Sequence, residues 1–258
     1  MRQYRLNWRR TSIRLILNER EYAEQIIFSN EFITNPAFDI GVVAKYYYAE
    51  GYKQKDVKRK LGELLLRCDP TANLVLWDGQ LDRQSKRAVK RSMVEIDFIS
   101  ITQREVDAIR ALPNRTIKKM AFSYLCTAKY FNKVNDKNND WTNLPIKDIC
   151  SMGNVAIPVD KQYAMRGELA RLGYLQLSMV VDNVNARVLF ADNDGEEVMR
   201  ITEMRDLGNQ YFQHCGEPYI YCDMCGKLVR KRSNRAKHCT VCAKKIDYQK
   251  RTERYQNA

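Results

Sequence analysis

Histidine is nearly missing from this sequence: there are two in 258 residues, His214 and His238, each close to a cysteine. Histidine-based acid–base chemistry elsewhere in the chain is therefore excluded, because His is the side chain that most often moves protons near neutral pH. There is no P-loop, no G-x-S-x-G elbow and no H-E-x-x-H pair, so the chain is expected not to be an enzyme. Carboxylates do gather at Asp192, Asp194, Glu196 and Glu197 around Gly195. Two-metal nucleases use such groups, but the stretch reads more simply as an acidic loop, and a nuclease is the weakest of the functional readings.

Long apolar runs are missing too. None approaches the roughly 20 residues that a membrane span requires. The N-terminus, MRQYRLNWRRTSIRLILNER, is basic but has neither an uninterrupted apolar core nor a small-residue cleavage site, which makes it a poor secretory signal. The expected location is the cytoplasm, with no membrane partner. Internal repeats and low-complexity segments do not stand out.

What is present is the composition of a folded protein, 45% hydrophobic, 10% aromatic and 29% charged, on a chain long enough for one to three domains. Charge is distributed unevenly. Of the formal +13, residues 222–258 hold +8, from eleven Lys or Arg against Asp223, Asp247 and Glu253. The other 221 residues hold 33 bases and 28 acids. A polyanion is the natural partner of such a tail, and nucleic acid is the usual one.

The pattern divides the chain into three regions and predicts a mainly α (α+β) fold. Residues 1–113 read as helical, with Ile40–Ala49 and Lys55–Cys68 the clearest; Val57, Leu61, Leu64 and Leu65 recur at helical spacing and Pro70 ends the second helix. A further helix is expected over Asp82–Met93. It carries Arg83, Lys86, Arg87, Lys90 and Arg91 mostly on one side, as a solvated face or a phosphate-contacting one. Residues 114–205 read as a helix over Thr116–Val134, a polar loop, a short helix over Leu144–Met152 and a third helix capped by Asp160 that stops at Gly173. Strands follow over 174–181 and 186–190, joined by the turn 182–185. Residues 206–258 hold the remaining motif and end in a basic helix.

That motif is two C-x-x-C pairs, Cys222–Cys225 and Cys239–Cys242, thirteen residues apart. Two residues between thiols let a tight knuckle aim both sulfurs at one ion, about 2.3 Å away in a tetrahedral site. Gly226 follows the first pair, where the backbone often needs a conformation that a side chain opposes. One structural zinc ion per chain is the expected cofactor, because four thiolates leave no open position for water. His238, and then His214 and Cys215, are the second-choice ligands. Cys68, Cys126 and Cys150 lie in apolar helical contexts and read as core. Four bound thiolates lower the tail's charge by about two and leave it strongly basic. Lys227, Arg230, Lys231, Arg232, Arg235 and Lys237 lie between the pairs, and Lys244, Lys245, Lys250, Arg251 and Arg254 follow them with Tyr248 and Tyr255 interleaved. These are the candidate contacts to phosphates and exposed bases.

Knuckle, hairpin and a C-x-x-C at a helix start resemble a treble-clef finger, and the spacing also fits a short zinc ribbon. Three helices followed by a β-hairpin, with the run Met165 to Leu175 at the junction, resemble a winged helix-turn-helix. That resemblance implies a third helix in the major groove and a wing on the backbone. Lys161, Gln162, Tyr163, Arg166 and Arg171 would then be DNA contacts on the helix, with Arg187 on the wing. A four-cysteine finger joined to a winged helix is similar in style to small DNA-binding proteins of bacteriophages and mobile elements. It implies transcription control or replication initiation, with DNA the more expected nucleic acid. The alternative is an inhibitor or adaptor that docks on a host nucleic-acid machine, such as RNA polymerase or a defence nuclease.

Overall fold

The computed structural model describes residues 15–180 and 183–256, with side chains to residue 253. The readings of residues 1–14, Val181, Asp182, Arg254 and Tyr255 lie outside the described residues. The chain is mainly α with small antiparallel sheets. No described helix is long and apolar enough to cross a membrane.

Four helices open the fold: α1 (Glu19–Ser29), α2 (Pro36–Ala49), α3 (Gln54–Cys68) and α4 (Leu74–Ala88). Asn18, Asn35 and Asn73 cap the first, second and fourth by accepting from backbone amides of Glu21, Ala37 and Val75, a role to which short amide side chains are suited. Their apolar faces close one core, built around Ile26, Ile40, Val43, Val57, Leu61 and Leu65. The helix expected over Asp82–Met93 begins eight residues earlier and ends at Ala88. Asn73 caps this earlier start, and Val75 and Leu76 in its first turn are exposed.

A second and larger core follows. It is formed by β1 (Ile99–Thr102), α5 (Gln103–Arg110), α6 (Arg115–Val134), β2 (Trp141–Thr142), α7 (Ile146–Met152), α8 (Val159–Arg171), β3 (Leu175–Leu177), β4 (Ala186–Val188), β5 (Glu197–Ile201) and α9 (Leu207–His214). Helix α6 runs through its middle with Met120, Phe122, Tyr124 and Leu125 buried. Strand β4 lies between β2 and β3 in a three-stranded antiparallel sheet, and β1 pairs with β5 across almost a hundred residues. Glu105 is the polar centre of this core. Fully buried, it accepts from Lys129 Nζ at 2.8 Å, from the Thr102 amide at 2.8 Å and from the Asp192 amide at 2.7 Å. A buried carboxylate needs this many partners to be tolerated.

The order of helices and hairpin read from residues 114–205 is present, with differences. The hairpin strands are shorter than expected, and Trp141–Thr142 adds a third strand that a two-residue segment cannot announce by alternation. Asp160 sits inside α8 rather than capping it, because the helix begins directly after Pro158. No break in the core falls at residue 113: Ile99, Ile101, Val106, Ile109 and Leu112 pack with the later helices. Likewise α9, at the start of the third expected region, buries Leu207, Tyr211 and Phe212 in the large core.

Candidate metal centre

Beyond α9 the chain forms a hairpin, β6 (Tyr219–Tyr221) and β7 (Leu228–Arg230), and then α10 (Thr240–Gln256). Tyr219 pairs with Arg230 and Tyr221 with Leu228, so the turn of this hairpin is the first C-x-x-C pair itself. The knuckle is closed by the Cys222 amide donating to the Lys227 carbonyl at 2.9 Å and the Gly226 amide donating to the Cys222 carbonyl at 2.8 Å. Gly226 has φ 67°, in the left-handed region that favours glycine. The loop 231–238 folds back over the knuckle, where the Lys237 carbonyl accepts from the Asp223 amide at 3.0 Å. Cys239 and Cys242 sit at the first turn of α10.

The four Sγ atoms of Cys222, Cys225, Cys239 and Cys242 lie within 4.8 Å of one another. Cys225 and Cys239 are 3.8 Å apart, which is about the edge of a tetrahedron with metal–sulfur bonds of roughly 2.3 Å. The arrangement is compatible with a zinc finger and can hold a metal ion. Cys222, Cys239 and Cys242 are buried, and with Cys225 and Val229 they form a small cluster of their own. Burial alone would raise the Cys222 thiol, but backbone amides of Cys239, Cys225 and Met224 outweigh it and bring the thiol down to about 6. Burial and the neighbouring sulfurs raise Cys225 and Cys242. Packed sulfurs cannot all ionise unaided; a bound cation removes that conflict. The Cys242 amide also donates to Cys239 Sγ at 3.4 Å, as expected where a helix N-terminus faces a thiolate.

Among the described residues no other group of three or more His, Cys, Asp or Glu side chains converges in this way. His238, His214 and Cys215 are not in the cluster, and the acidic loop is engaged otherwise. Glu197 accepts from Ser100 Oγ at 2.5 Å and Arg200 Nε at 2.6 Å, which lowers its carboxyl, and Asp192 accepts from Thr102 Oγ1. Cys126 and Cys150 are buried, as expected, while Cys68 is partly exposed.

The basic candidates separate into two groups. Arg230, Arg232, Arg235, Lys237, Lys244 and Lys245 are exposed on the finger, with Lys227 and Lys231 partly so. The acidic neighbour of Arg230 is Glu217, at 3.8 Å. On the three-stranded-sheet unit Lys161, Tyr163 and Arg171 are exposed, and Arg171 pairs with Glu168. Arg187 donates to the Asn139 carbonyl and side chain. Gln162 and Arg166 require correction. Each is only 8% exposed. Gln162 Nε2 donates to the Ile157 carbonyl, and Arg166 Nη2 donates to the Val184 and Asn185 carbonyls at 3.0 Å. Both side chains are turned inward onto backbone carbonyls, and the Asn185 carbonyl also accepts from the Ser178 amide across the hairpin.

What holds the hairpin to the large core is a set of contacts with no local sequence signal. Asp206 Oδ2 accepts from the Leu228 amide at 3.0 Å, and Asn209 Nδ2 donates to the Leu228 carbonyl at 2.8 Å. Lys119 Nζ donates to Asn209 Oδ1 at 2.7 Å. Arg115 donates to both Glu217 oxygens and lies 3.6 Å over the Phe212 ring. Within the core itself Gly208 lets α9 sit close to the end of α7 and to α6, since a Cβ there would stand 2.4 Å from the Gly153 carbonyl and 2.5 Å from Lys119 Cγ. Comparison of the chain with protein-family models, with curated proteins and with solved structures gives no match.

Proposed function

We propose that this chain is a zinc-containing, non-enzymatic DNA-binding protein whose metal organises a basic surface. The observation that carries the reading is the convergence of four cysteine sulfurs next to the end of β7 and the following loop, which bear Arg230, Lys231, Arg232, Arg235 and Lys237. Four thiolates at this spacing suit zinc, which accepts tetrahedral sulfur coordination without redox change. A closed sulfur shell leaves no site for water, so the ion's task is to fold the finger, which has almost no apolar core of its own. Positive side chains on a rigid loop lose little freedom on meeting phosphates, and binding then releases counterions.

The unit from α6 to β4 supports a winged helix-turn-helix as part of this proposal, through its element order and three-stranded sheet. With Gln162 and Arg166 turned inward, its contribution to DNA is confined to Lys161, Tyr163, Arg171 and Arg187. The proposed setting is transcription control or replication initiation, in the style of bacteriophage and mobile-element proteins.

A second reading, an adaptor docking on a host nucleic-acid machine, is favoured by one observation. The hairpin after α8 carries Met179, 99% exposed, next to exposed Val180, and Tyr163 on α8 is exposed as well. Titration of naked duplex against salt separates the two. The DNA-binding reading expects affinity that falls steeply as salt rises, and the adaptor reading expects little affinity for naked DNA at any moderate salt.

A further inference from the structure

Helix α10 has its first turn locked to the metal site by Cys239 and Cys242, and then runs outward. From Lys244 to Arg251 every residue is exposed except the half-buried Ile246. At 17 residues it is about 25 Å long, and no apolar stripe runs along it. A helix that is polar all round and unsupported beyond one turn is marginal in water. Its acids are nevertheless kept off one face, while its bases lie both on that face and, at Lys250, opposite it. At about 100° per residue, Val241, Lys244, Lys245, Tyr248, Arg251 and Thr252 fall within an arc of about 120°. Asp247 and Glu253, the acids of the helix, lie outside that arc. Five of the six side chains in that arc are exposed and Thr252 is half-buried, so packing within the fold does not account for the arrangement.

Resting on the nucleic-acid reading above, we infer that α10 is a groove helix which lays its acid-free face in the major groove of double-stranded DNA and becomes fully ordered on doing so. The fit is one of size and charge. The B-form major groove is about 12 Å wide and admits one helix of about 10–12 Å diameter. Lys244, Lys245 and Arg251 meet phosphates or guanine edges, while Tyr248 and Thr252 reach the groove floor. Duplex RNA is a poor occupant, since its major groove is deep and too narrow for side chains. A single strand offers no groove to supply the contacts the helix lacks.

The test uses the full-length zinc-loaded protein with one mixed sequence as duplex DNA, single-stranded DNA and duplex RNA, followed by anisotropy at low salt. The wild type is expected to bind duplex DNA at least tenfold tighter than either other form, and its far-ultraviolet helical signal is expected to grow on adding duplex DNA. Gln249→Pro breaks the helix ten residues past Cys239, and the triple variant Lys244→Ala, Lys245→Ala, Arg251→Ala removes the face. Each is expected to keep one zinc and to lose tenfold or more in duplex affinity. Removing the same charge elsewhere, with Lys53→Ala, Lys55→Ala and Lys137→Ala together, is expected to change affinity less than threefold. If the wild type binds DNA but both α10 variants bind as well as it does, or if single strands or duplex RNA bind as tightly, the groove helix is overturned and the hairpin loop remains as the contact. If the wild type binds no nucleic acid, the underlying reading falls and the groove helix with it.

Discussion

Asn209 donates from its side-chain amide to the Leu228 carbonyl at 2.8 Å and accepts from Lys119 Nζ on its other side. One half of the contact belongs to α9 in the large core and the other to the strand that follows the cysteine knuckle. The hairpin strand is thereby tied to the body of the protein. Asn209→Leu removes the donor, leaves the Leu228 carbonyl unsatisfied and takes one of two acceptors from the Lys119 ammonium, which keeps the Asn154 carbonyl at 3.3 Å. It should cost about 1–3 kcal/mol, read as a lower midpoint in urea unfolding with an unchanged slope. Zinc content should stay at one equivalent.

Arg166→Ala separates a structural arginine from a DNA-contacting one. Because the guanidinium satisfies the Val184 and Asn185 carbonyls, the change should lower stability by about 1–3 kcal/mol. The salt dependence of duplex binding should stay as in the wild type. A DNA contact would instead reduce the slope of log affinity against log salt by about 0.9.

Arg232, Arg235 and Lys237 are exposed on the loop above the sulfurs. Changing all three to Ala should weaken duplex DNA binding and reduce the salt slope by up to about 2.7 if each meets one phosphate. Zinc content should be unaffected, since none of the three is a ligand. Elemental analysis beside the binding titration checks both halves.

The pH dependence of stability should carry the signature of Lys119. Burial lowers its ammonium from 10.5 to about 8, with Arg115 and Lys227 adding to the effect and Asp206 and Glu217 opposing it. Between about pH 8 and 10.5 the unfolded chain therefore holds a proton that the folded chain has released. Stability contributed by this group rises with pH across that window. Lys119→Met should flatten the rise, measured as the difference between the two urea midpoints at pH 7.5 and pH 10.

Some of these features were legible in the sequence and some were not, for physical reasons. The cysteine spacing was sufficient because a C-x-x-C knuckle is a local device, and Gly226 announced the positive φ that closes it. Helices α2 and α3 were legible through the 3.6-residue recurrence of their apolar positions. The β1–β5 pairing was hidden, since two short strands almost a hundred residues apart leave no local trace. Gln162 and Arg166 were misplaced because they were assigned by position from the winged-helix resemblance, whereas long-range packing buries both and turns them onto the Ile157, Val184 and Asn185 carbonyls. Asp206 and Asn209 resemble any turn residues until the hairpin is seen resting on them.

Zinc-edge X-ray absorption on the native protein tests the proposed closed four-sulfur metal centre most directly. The expected result is one zinc per chain with four sulfur neighbours at about 2.3 Å, lost on Cys222→Ser or Cys239→Ser. Absence of zinc, or a first shell containing nitrogen or oxygen, would contradict it.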